Sequence, residues 1–291
     1  MTIPVILFAY ARTGHLRRVL DCLRENQVPL ILAFADGAKG GDDAAAVEST
    51  RALLRGIDWC KVELVERAAN LGLGRNVLAG VTEVANRYEA FIIWEDDLVC
   101  VPGTYAWVCA ALRHYRSEPR VMSVSAWTHP RITPAGAGAS PYFDARADCW
   151  VWGGYARSWR GMEQTALEKL RAWTSTGQPP DAYGADLPRM ARDEAAKNIW
   201  AVRWLYHHLQ HGGLCLRPPW SMVEHIGFDV TATNAAAATA WANAALRAAP
   251  EIPAVWPEAV EYADCRQLWQ TAVRADQVPL WRRIIRYLIR R

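Results

Sequence analysis

Three consecutive acids, Glu95, Asp96 and Asp97, directly follow an apolar run, Phe91–Trp94, that is typical of a buried strand. Like charges held this close together raise the cost of keeping all three ionised, so a neighbouring cation is expected to offset them. Carboxylate oxygens are hard ligands that suit Mg²⁺ or Mn²⁺, and either ion can bridge to phosphate oxygens. The triplet therefore predicts a divalent-metal site at a strand end.

The elements that must position this triplet alternate between strand and helix patterns over the first hundred residues. The predicted strands are Ile3–Tyr10, Leu30–Phe34, Val62–Val65 and Phe91–Trp94, with helical periods after Thr13, near Ala44 and after Gly74. Such alternation predicts parallel strands in a sheet that helices cover on both faces. Ligands of these sheets bind beyond the carboxyl ends of the strands, where the triplet lies.

The order changes after Pro102. We expect a helix at Thr104–Tyr115, a strand at Val121–Ala126, one helix from Asp186 or Asp193 to His211, a strand at Leu214–Leu216 and a helix at Ala235–Ala248. No linker separates two independent domains. The prediction is a catalytic domain over 1–230, with a nucleotide-binding half (1–100) and an acceptor half (101–230), and a helical extension over 231–291.

Composition narrows the function classes. The 291 residues are 52% apolar and 22% charged, which is typical of a soluble globular protein, and the net charge of +3 is too small for a nucleic-acid partner. Seven cysteines without a C-x-x-C pair indicate a reducing compartment. Fifteen tryptophans are unusual, and their flat faces suit either core packing or sugar rings.

Two rival motifs are incomplete. Gly72-Leu73-Gly74 lies between a strand and a helix as in dinucleotide-binding folds, but Val77 occupies the place of the third glycine. His207 and His211 have the spacing of zinc ligands on a helix, but His208 stands where a zinc protease needs glutamate. Neither a dehydrogenase nor a zinc protease is therefore expected.

Several motifs follow one another along the chain: residues 4–12, Asp36, Asn70-Leu71-Gly72-Leu73, Trp94-Glu95-Asp96-Asp97-Leu98, Val124-Ser125-Ala126-Trp127, Trp150-Val151-Trp152-Gly153, Trp200-Ala201-Val202-Arg203-Trp204 and Ile226-Gly227-Phe228-Asp229. Their order resembles GT-A-fold glycosyltransferases, above all bacterial family-2-like sugar transferases. It also resembles the eukaryotic β-1,2-N-acetylglucosaminyltransferase, whose metal motif is likewise Glu-Asp-Asp. The resemblance implies a Rossmann-like, mixed but mainly parallel sheet flanked by helices.

The resemblance also implies roles for individual residues. Asp97 would ligate Mn²⁺ or Mg²⁺, Glu95 and Asp96 would contact the ribose or donor sugar, and Asp36 would accept a hydrogen bond from the nucleobase. The rest of the donor site, a UDP-sugar site by preference, would be formed by Ala9, Tyr10, Arg12, Asn70, Gly72 and Arg75, with Arg12 on the diphosphate. The acceptor cleft would be formed by Trp150, Trp152, Trp200, Arg203 and Trp204.

The base that an inverting transfer needs is missing. Both resembling groups have aspartate after the tryptophan that corresponds to Trp200, but this chain has Ala201, which cannot take the acceptor's proton. Three explanations stay open. The chain could be an engineered Asp→Ala variant, a second acid (Asp193, Glu194 or Glu224) could serve as base, or the protein could bind a nucleotide sugar without turning it over.

Residues 279–291 combine Trp281, Ile284, Ile285 and Leu288 at helical spacing with five arginines in the last ten residues. This pattern predicts a basic amphipathic helix, suited either to an anionic membrane surface or to the protein's own core. Ile3–Phe8 has the pattern of a core strand rather than a secretion signal. We therefore expect a cytoplasmic enzyme, peripheral on the inner membrane face, that glycosylates a glycan or a lipid-linked acceptor in polysaccharide biosynthesis.

Overall fold

The computed structural model describes residues 2–228, 241 and 246–275. Its strands are β1 (Val5–Ala9), β2 (Leu30–Ala35), β3 (Lys61–Glu66), β4 (Ala90–Glu95), β5 (Leu98–Cys100), β6 (Val121–Ser125), β7 (Tyr142–Asp144), β8 (Trp152–Tyr155), β9 (Leu214–Arg217) and β10 (Val223–His225). Its helices are α1 (Thr13–Glu25), α2 (Gly41–Arg55), α3 (Leu73–Ala85), α4 (Thr104–His114), α5 (Ala156–Trp159), α6 (Ala166–Ser175), α7 (Leu187–Lys197), α8 (Ala201–Gln210) and α9 (Cys265–Ala275).

Eight strands form the central sheet in the order β3-β2-β1-β4-β8-β6-β9-β7. The pairs β2–β3, β1–β2, β1–β4 and β6–β9 are parallel, whereas β8 and β7 run antiparallel to their neighbours. Every residue of β1 and β2 is buried, as expected for strands covered on both faces. The prediction of an α/β fold with a mixed, mainly parallel sheet flanked by helices is therefore confirmed.

Strand β8 was not predicted, although it joins the two halves of the sheet. It lies between β4 and β6 and pairs with both. Its Gly153 lies under α4, where an added Cβ would come within 2.6 Å of the Leu112 side chain. The glycine thus permits close packing between helix and sheet, and the same glycines weaken the strand pattern in the sequence.

The single helix predicted from Asp186 or Asp193 to His211 is wrong, because the structure has two helices there, α7 and α8. The break lies at Asn198, whose φ of 52° is left-handed. Asparagine adopts this conformation more readily than most residues, and it commonly ends a helix. The chain thus turns directly before Trp200 and Ala201.

Two sequence predictions concern helices in the C-terminal part of the chain. The basic amphipathic helix over 279–291 lies outside the described residues, and so does most of the helix expected at Ala235–Ala248. Helix α9 was not predicted, and its buried Trp269 donates to Asp144 in β7 at 2.6 Å. Among the described residues, none of the helices has the length and apolarity needed to cross a bilayer.

Candidate functional site

The carboxyl ends of three neighbouring strands meet at one pocket of about 190 Å³. Parallel pairing sets Phe8 of β1 beside Glu95 of β4, and Asp36 directly follows β2. Nine of the ten residues predicted for the nucleotide sugar and metal line this pocket: Ala9, Tyr10, Arg12, Asp36, Asn70, Gly72, Glu95, Asp96 and Asp97. The structure therefore brings together residues that are far apart in the sequence.

Arg75 is the exception among these ten. Its guanidinium folds back onto its own loop, where Nε donates to the Leu71 carbonyl at 2.8 Å. The side chain is exposed and does not line the pocket.

Asp36 organises the loop that forms one wall of the pocket. It is 4% exposed, and its Oδ1 accepts from the backbone N–H groups of Gly37 and Leu71, each at 2.9 Å. Its Oδ2 accepts from the N–H of Gly72 at 2.9 Å and from Asn70 Nδ2 at 3.2 Å. A carboxylate has about four acceptor positions, so these bonds use its capacity. The predicted bond from a nucleobase to Asp36 would have to displace one of them.

Asp97 lies on the opposite wall and has one oxygen with a partner and one without. Its Oδ2 accepts from Arg12 Nη1 at 2.8 Å, and only 13% of the Asp97 side chain is exposed. Its Oδ1 is buried without a hydrogen-bond partner among the described residues. An unpartnered buried carboxylate oxygen is costly unless a ligand satisfies it. It is also the hard oxygen donor that Mg²⁺ and Mn²⁺ prefer, so the residue fits a divalent metal.

Glu95 and Asp96 add two more carboxyl groups beside Asp97, which increases the negative charge that a cation would neutralise. Burial, together with the neighbouring charge of Asp97, raises the pKa of Asp96 to about 8 and the pKa of Glu95 well above its usual range. Asp96 Oδ2 accepts from the backbone N–H of Tyr10 at 3.0 Å, which fixes its carboxylate between β1 and β4. A divalent cation here would favour the ionised form of all three acids.

His225 is a pocket residue that sequence reasoning missed. Antiparallel pairing of β10 with β5 carries it to the triplet, and its Nε2 lies 3.8 Å from Asp97 Oδ2. Its Nδ1 accepts from the N–H of Gly227 at 3.1 Å, so in the neutral ring Nε2 carries the proton and faces Asp97. His225 therefore lies beside Asp97, beyond hydrogen-bond distance. Its sequence signal is the adjacent motif Ile226-Gly227-Phe228-Asp229.

Six further lining residues carried no predicted role: Phe8, Lys39, Leu73, Asn76, Gly227 and Phe228. Lys39 Nζ lies 5.1 Å from the ring centroid of Tyr10, whose hydroxyl in turn bonds to Asp43. Gly227 has a steric role, because an added Cβ would overlap Asp97 Oδ2 and crowd Arg12. A larger residue at this position would displace the Arg12 and Asp97 side chains from their present contact.

The position expected to hold the base lies at the start of α8. Ala201 is half-buried and follows Trp200. The predicted substitutes are engaged elsewhere. Glu194 accepts from Arg203 Nε at 2.5 Å and from the N–H of Ala166 at 2.7 Å, while Asp193 pairs with Lys197 at 2.8 Å on α7.

Glu224, the third acid considered as a base, lies in β10 opposite Val99. None of Asp193, Glu194 and Glu224 lines the pocket that the described residues form, and neither does Ala201 itself.

Most of the predicted acceptor residues belong to the core. Trp152 and Trp204 are fully buried, Trp200 is 3% exposed, and the Trp152 ring lies 4.7 Å from Trp204 and 6.0 Å from Trp200 between centroids. Arg203 donates to Glu194 and to a backbone carbonyl. These four side chains stabilise α8 against the sheet, and in this structure they offer no free face to an acceptor.

Trp150 differs from the other predicted acceptor residues. It is half-buried, and its ring lies 5.0 Å from His225 and 6.0 Å from Phe228 between centroids. Because both neighbours line the pocket, Trp150 is the predicted acceptor residue that the structure brings to the site.

A second group of possible metal ligands, Asp144, Glu261 and Cys265, lies away from the pocket. Asp144 accepts from Arg217 Nε at 2.8 Å and from Trp269 Nε1 at 2.6 Å. Both oxygens of Glu261 also accept hydrogen bonds. Since these carboxylates are already satisfied, the group stabilises the junction of β7, β9 and α9, and it lacks the free oxygen of Asp97.

No protein-family model matches the chain, and neither does any curated protein. Among solved structures, the chain is similar to mannosyltransferase PcManGT from Pyrobaculum calidifontis in complex with GDP-Man and Mn²⁺, at 18% identity and a TM-score of 0.38 over 58% of this chain. That match covers 46% of the mannosyltransferase, less than half of its length.

UDP-glucose pyrophosphorylase is similar in two structures. The structure complexed with UDP-glucose has 12% identity and a TM-score of 0.34 over 57% of this chain and 80% of that chain. The apo structure has 10% identity and a TM-score of 0.42 over 78% of this chain and 93% of that chain. Likenesses this distant assign the chain neither to a family nor to an activity.

Proposed function

We propose that the chain is a metal-dependent glycosyltransferase, of the hexosyl- or N-acetylhexosaminyl-transferase class, that uses a nucleotide sugar. The observation that carries this proposal is the buried Oδ1 of Asp97, which has no hydrogen-bond partner among the described residues. The Asp97 carboxylate lies beside the Arg12 guanidinium in a pocket at the carboxyl ends of β1, β2 and β4. A carboxylate oxygen without a hydrogen-bond donor can ligate a divalent metal, and a neighbouring guanidinium can donate to a diphosphate that the metal also contacts.

Asp97 would hold the metal, Mn²⁺ or Mg²⁺, with the His225 ring 3.8 Å from its carboxylate. Bound there, the ion would stabilise the negative charge that develops on the leaving diphosphate. Arg12 would donate to the diphosphate once its bond to Asp97 is released. Only one protein carboxylate need ligate the ion, because Mg²⁺ commonly keeps several waters and adds phosphate oxygens from the substrate.

The nucleoside would lie at the other end of the pocket, between Tyr10 and the loop that carries Asn70 and Gly72. Tyr10 offers an aromatic ring that a base can stack on, and the loop offers backbone groups that Asp36 holds in place. A UDP-sugar is the donor we favour.

Transfer with inversion needs a base beside the acceptor hydroxyl, and residue 201 is the position we assign to it. Ala201 lacks the required proton acceptor, and neither it nor Asp193, Glu194 or Glu224 lines the pocket. This observation favours a second candidate function, a nucleotide-sugar-binding protein that does not turn its ligand over. It equally fits a chain in which aspartate has been replaced by alanine.

For the acceptor we propose a glycan or lipid-linked sugar that stacks near Trp150 and Phe228. We also propose that residues 1–230 act as one catalytic domain, and that the basic segment 279–291 binds an anionic membrane surface on the cytoplasmic side.

The test is calorimetric titration of UDP-, GDP-, CMP- and dTDP-sugars with and without Mn²⁺. We expect one nucleotide class to bind, with Mn²⁺ raising its affinity at least tenfold, and Asp97→Asn to abolish the Mn²⁺ effect. Asp58→Asn, a matched change at an exposed aspartate, should leave both affinities unchanged. Equal affinities with and without Mn²⁺, or no binding of any nucleotide, would refute the proposal. Donor hydrolysis in the same samples separates an enzyme from a binding protein.

A further inference from the structure

Asn198 joins two parts of the molecule that are distant in sequence. Its backbone ends α7 in the left-handed region, with φ 52° and ψ 45°, and α8 begins three residues later at Ala201. Its side chain contacts the loop after β3, which forms the nucleotide wall of the pocket. The residue therefore lies between the proposed donor site and the position assigned to the base.

Both ends of the Asn198 amide are bonded to that loop. Nδ2 donates to the Leu71 carbonyl at 3.2 Å, and Oδ1 accepts from the backbone N–H of Arg75 at 3.1 Å. The two bonds span the turn where α3 begins. A side chain with one donor and one acceptor at this spacing is needed, which aspartate and leucine, for example, do not supply.

Glycines on the loop make this contact possible. A Cβ at Gly72 would overlap Asn198 Nδ2, and a Cβ at Gly74 would overlap the Asn198 carbonyl oxygen. Gly72 also has a φ of 72°, a conformation that glycine adopts without strain. The two segments thus pack closely, with the backbone of Gly74 against the backbone of Asn198.

We propose that Asn198 is a positioning residue that couples the nucleotide loop to residue 201 at the start of α8, so that a bound donor fixes the position of that residue. This inference rests on the proposed function and extends it, since it assigns a role to a residue that touches neither the donor nor the acceptor. Leu71, Gly72 and Arg75 transmit the coupling through the two amide bonds and the close backbone contact.

The experiment compares the unsubstituted chain with Asn198→Gly, Asn198→Asp and a control, Gln27→Gly. Glycine keeps the left-handed backbone but removes both amide bonds, whereas aspartate keeps only the acceptor for the Arg75 N–H. Gln27 has a φ of 53° at the end of α1, is exposed and does not line the pocket, so its replacement tests the same backbone change without the loop contact.

Two quantities are measured: the affinity for the nucleotide sugar with Mn²⁺, and the hydrogen-exchange protection that saturating ligand gives to residues 70–76 and 199–204. In the unsubstituted chain and Gln27→Gly, we expect ligand to protect both segments. In Asn198→Gly we expect about tenfold weaker affinity, from two lost hydrogen bonds, and protection of 70–76 without that of 199–204. Asn198→Asp should fall between. Melting temperatures identify any variant that fails to fold.

Unchanged affinity and joint protection of both segments in folded Asn198→Gly would overturn the inference while leaving the proposed function intact. If the unsubstituted chain binds no nucleotide, the proposed function fails and the inference fails with it. These outcomes are distinguishable, because only the second appears in the unsubstituted protein. A residue that merely stabilises the fold would lower the melting temperature without separating the protection of the two segments.

Discussion

Replacing Asp36 by asparagine tests how the pocket wall is built. The buried carboxylate accepts four hydrogen bonds, two on each oxygen, from the loop residues Gly37, Asn70, Leu71 and Gly72. Asparagine has almost the same shape but only one oxygen. Its NH₂ group must therefore face two donors, and neither can bond to it.

The expected loss follows from this count. Two hydrogen bonds to a charged acceptor contribute about 1.5–3 kcal/mol each, and the donors left behind are partly buried. The loop can relax toward water and recover part of this energy, so we expect the free energy of unfolding to fall by about 3 kcal/mol. That is a large share of the roughly 5–15 kcal/mol that stabilises a typical domain. The loop at residues 70–72 should also become more mobile.

Urea denaturation of Asp36→Asn and of the control Asp58→Asn measures the effect. Asp58 is exposed, so its substitution should change the free energy of unfolding by less than about 0.5 kcal/mol. If Asp36→Asn is as stable as the control, the four bonds do not hold the loop, and the description of the pocket wall is wrong. A loss of nucleotide binding without any loss of stability would instead indicate that Asp36 contacts the base directly.

Three other predictions follow from the same structure. Ala201→Asp should raise sugar transfer about 10²–10⁴-fold over the present chain, measured with the true acceptor, and equal turnover would remove residue 201 from the mechanism. Trp204→Ala should lower the free energy of unfolding, measured by urea denaturation, by about 3–5 kcal/mol because the Trp204 ring is fully buried. Trp150→Ala should lower it by less, because Trp150 is half-buried, and should also lower acceptor turnover. Equal losses of stability in the two variants would contradict this distinction. Burial lowers the pKa of both His207 and His208 to about 3, below the unfolded value of about 6.5. At these two histidines the unfolded chain therefore binds up to two more protons between these values, so their contribution to the free energy of unfolding rises with pH from about 4 to 6.5. The raised pKa values of Glu95 and Asp96 act in the opposite direction over the same range. Urea denaturation of the chain and of His208→Gln at pH 5 and 7 isolates the histidine contribution, because the variant should gain less stability, or lose more, between the two pH values; an identical change in both proteins would contradict the assignment.

The half of the pocket formed by β1, β2 and β4 could be predicted because local signals agree there. The strands are short apolar runs, the chain alternates strictly between strand and helix, and Asp36 and the triplet at 95–97 stand directly at strand ends. Parallel strands carry such ends to one edge of the sheet, so the sequence positions alone imply proximity.

The half of the pocket that contains His225 depends on contacts between residues far apart in the sequence, and no local sequence pattern predicts such contacts. His225 reaches Asp97 only because β10 pairs with β5. The burial of Trp152 and Trp204 could not be predicted for a related reason. A tryptophan-rich segment is equally compatible with a core and with a cleft, and the contacts of Trp204 with Trp152 and with Trp159, which help to bury these rings, are long-range in the sequence.

The break at Asn198 was missed because helical periodicity continues on both sides of it. The apolar positions of α7 and α8 suggest one long helix, and a single asparagine is a weak stop signal beside that pattern. Its left-handed backbone is favoured by contacts with Leu71 and Arg75, more than a hundred residues earlier in the chain. Tertiary packing thus overrides the local preference for helix at Asn198.

The most direct test of the central claim is a crystal structure with Mn²⁺ and the nucleotide that calorimetry selects. We predict an anomalous manganese peak within about 2.5 Å of an Asp97 oxygen and next to the diphosphate, with Arg12 moved from Asp97 to the phosphate. A nucleotide bound elsewhere, or manganese among Asp144, Glu261 and Cys265 with the Arg12–Asp97 bond intact, would contradict the account.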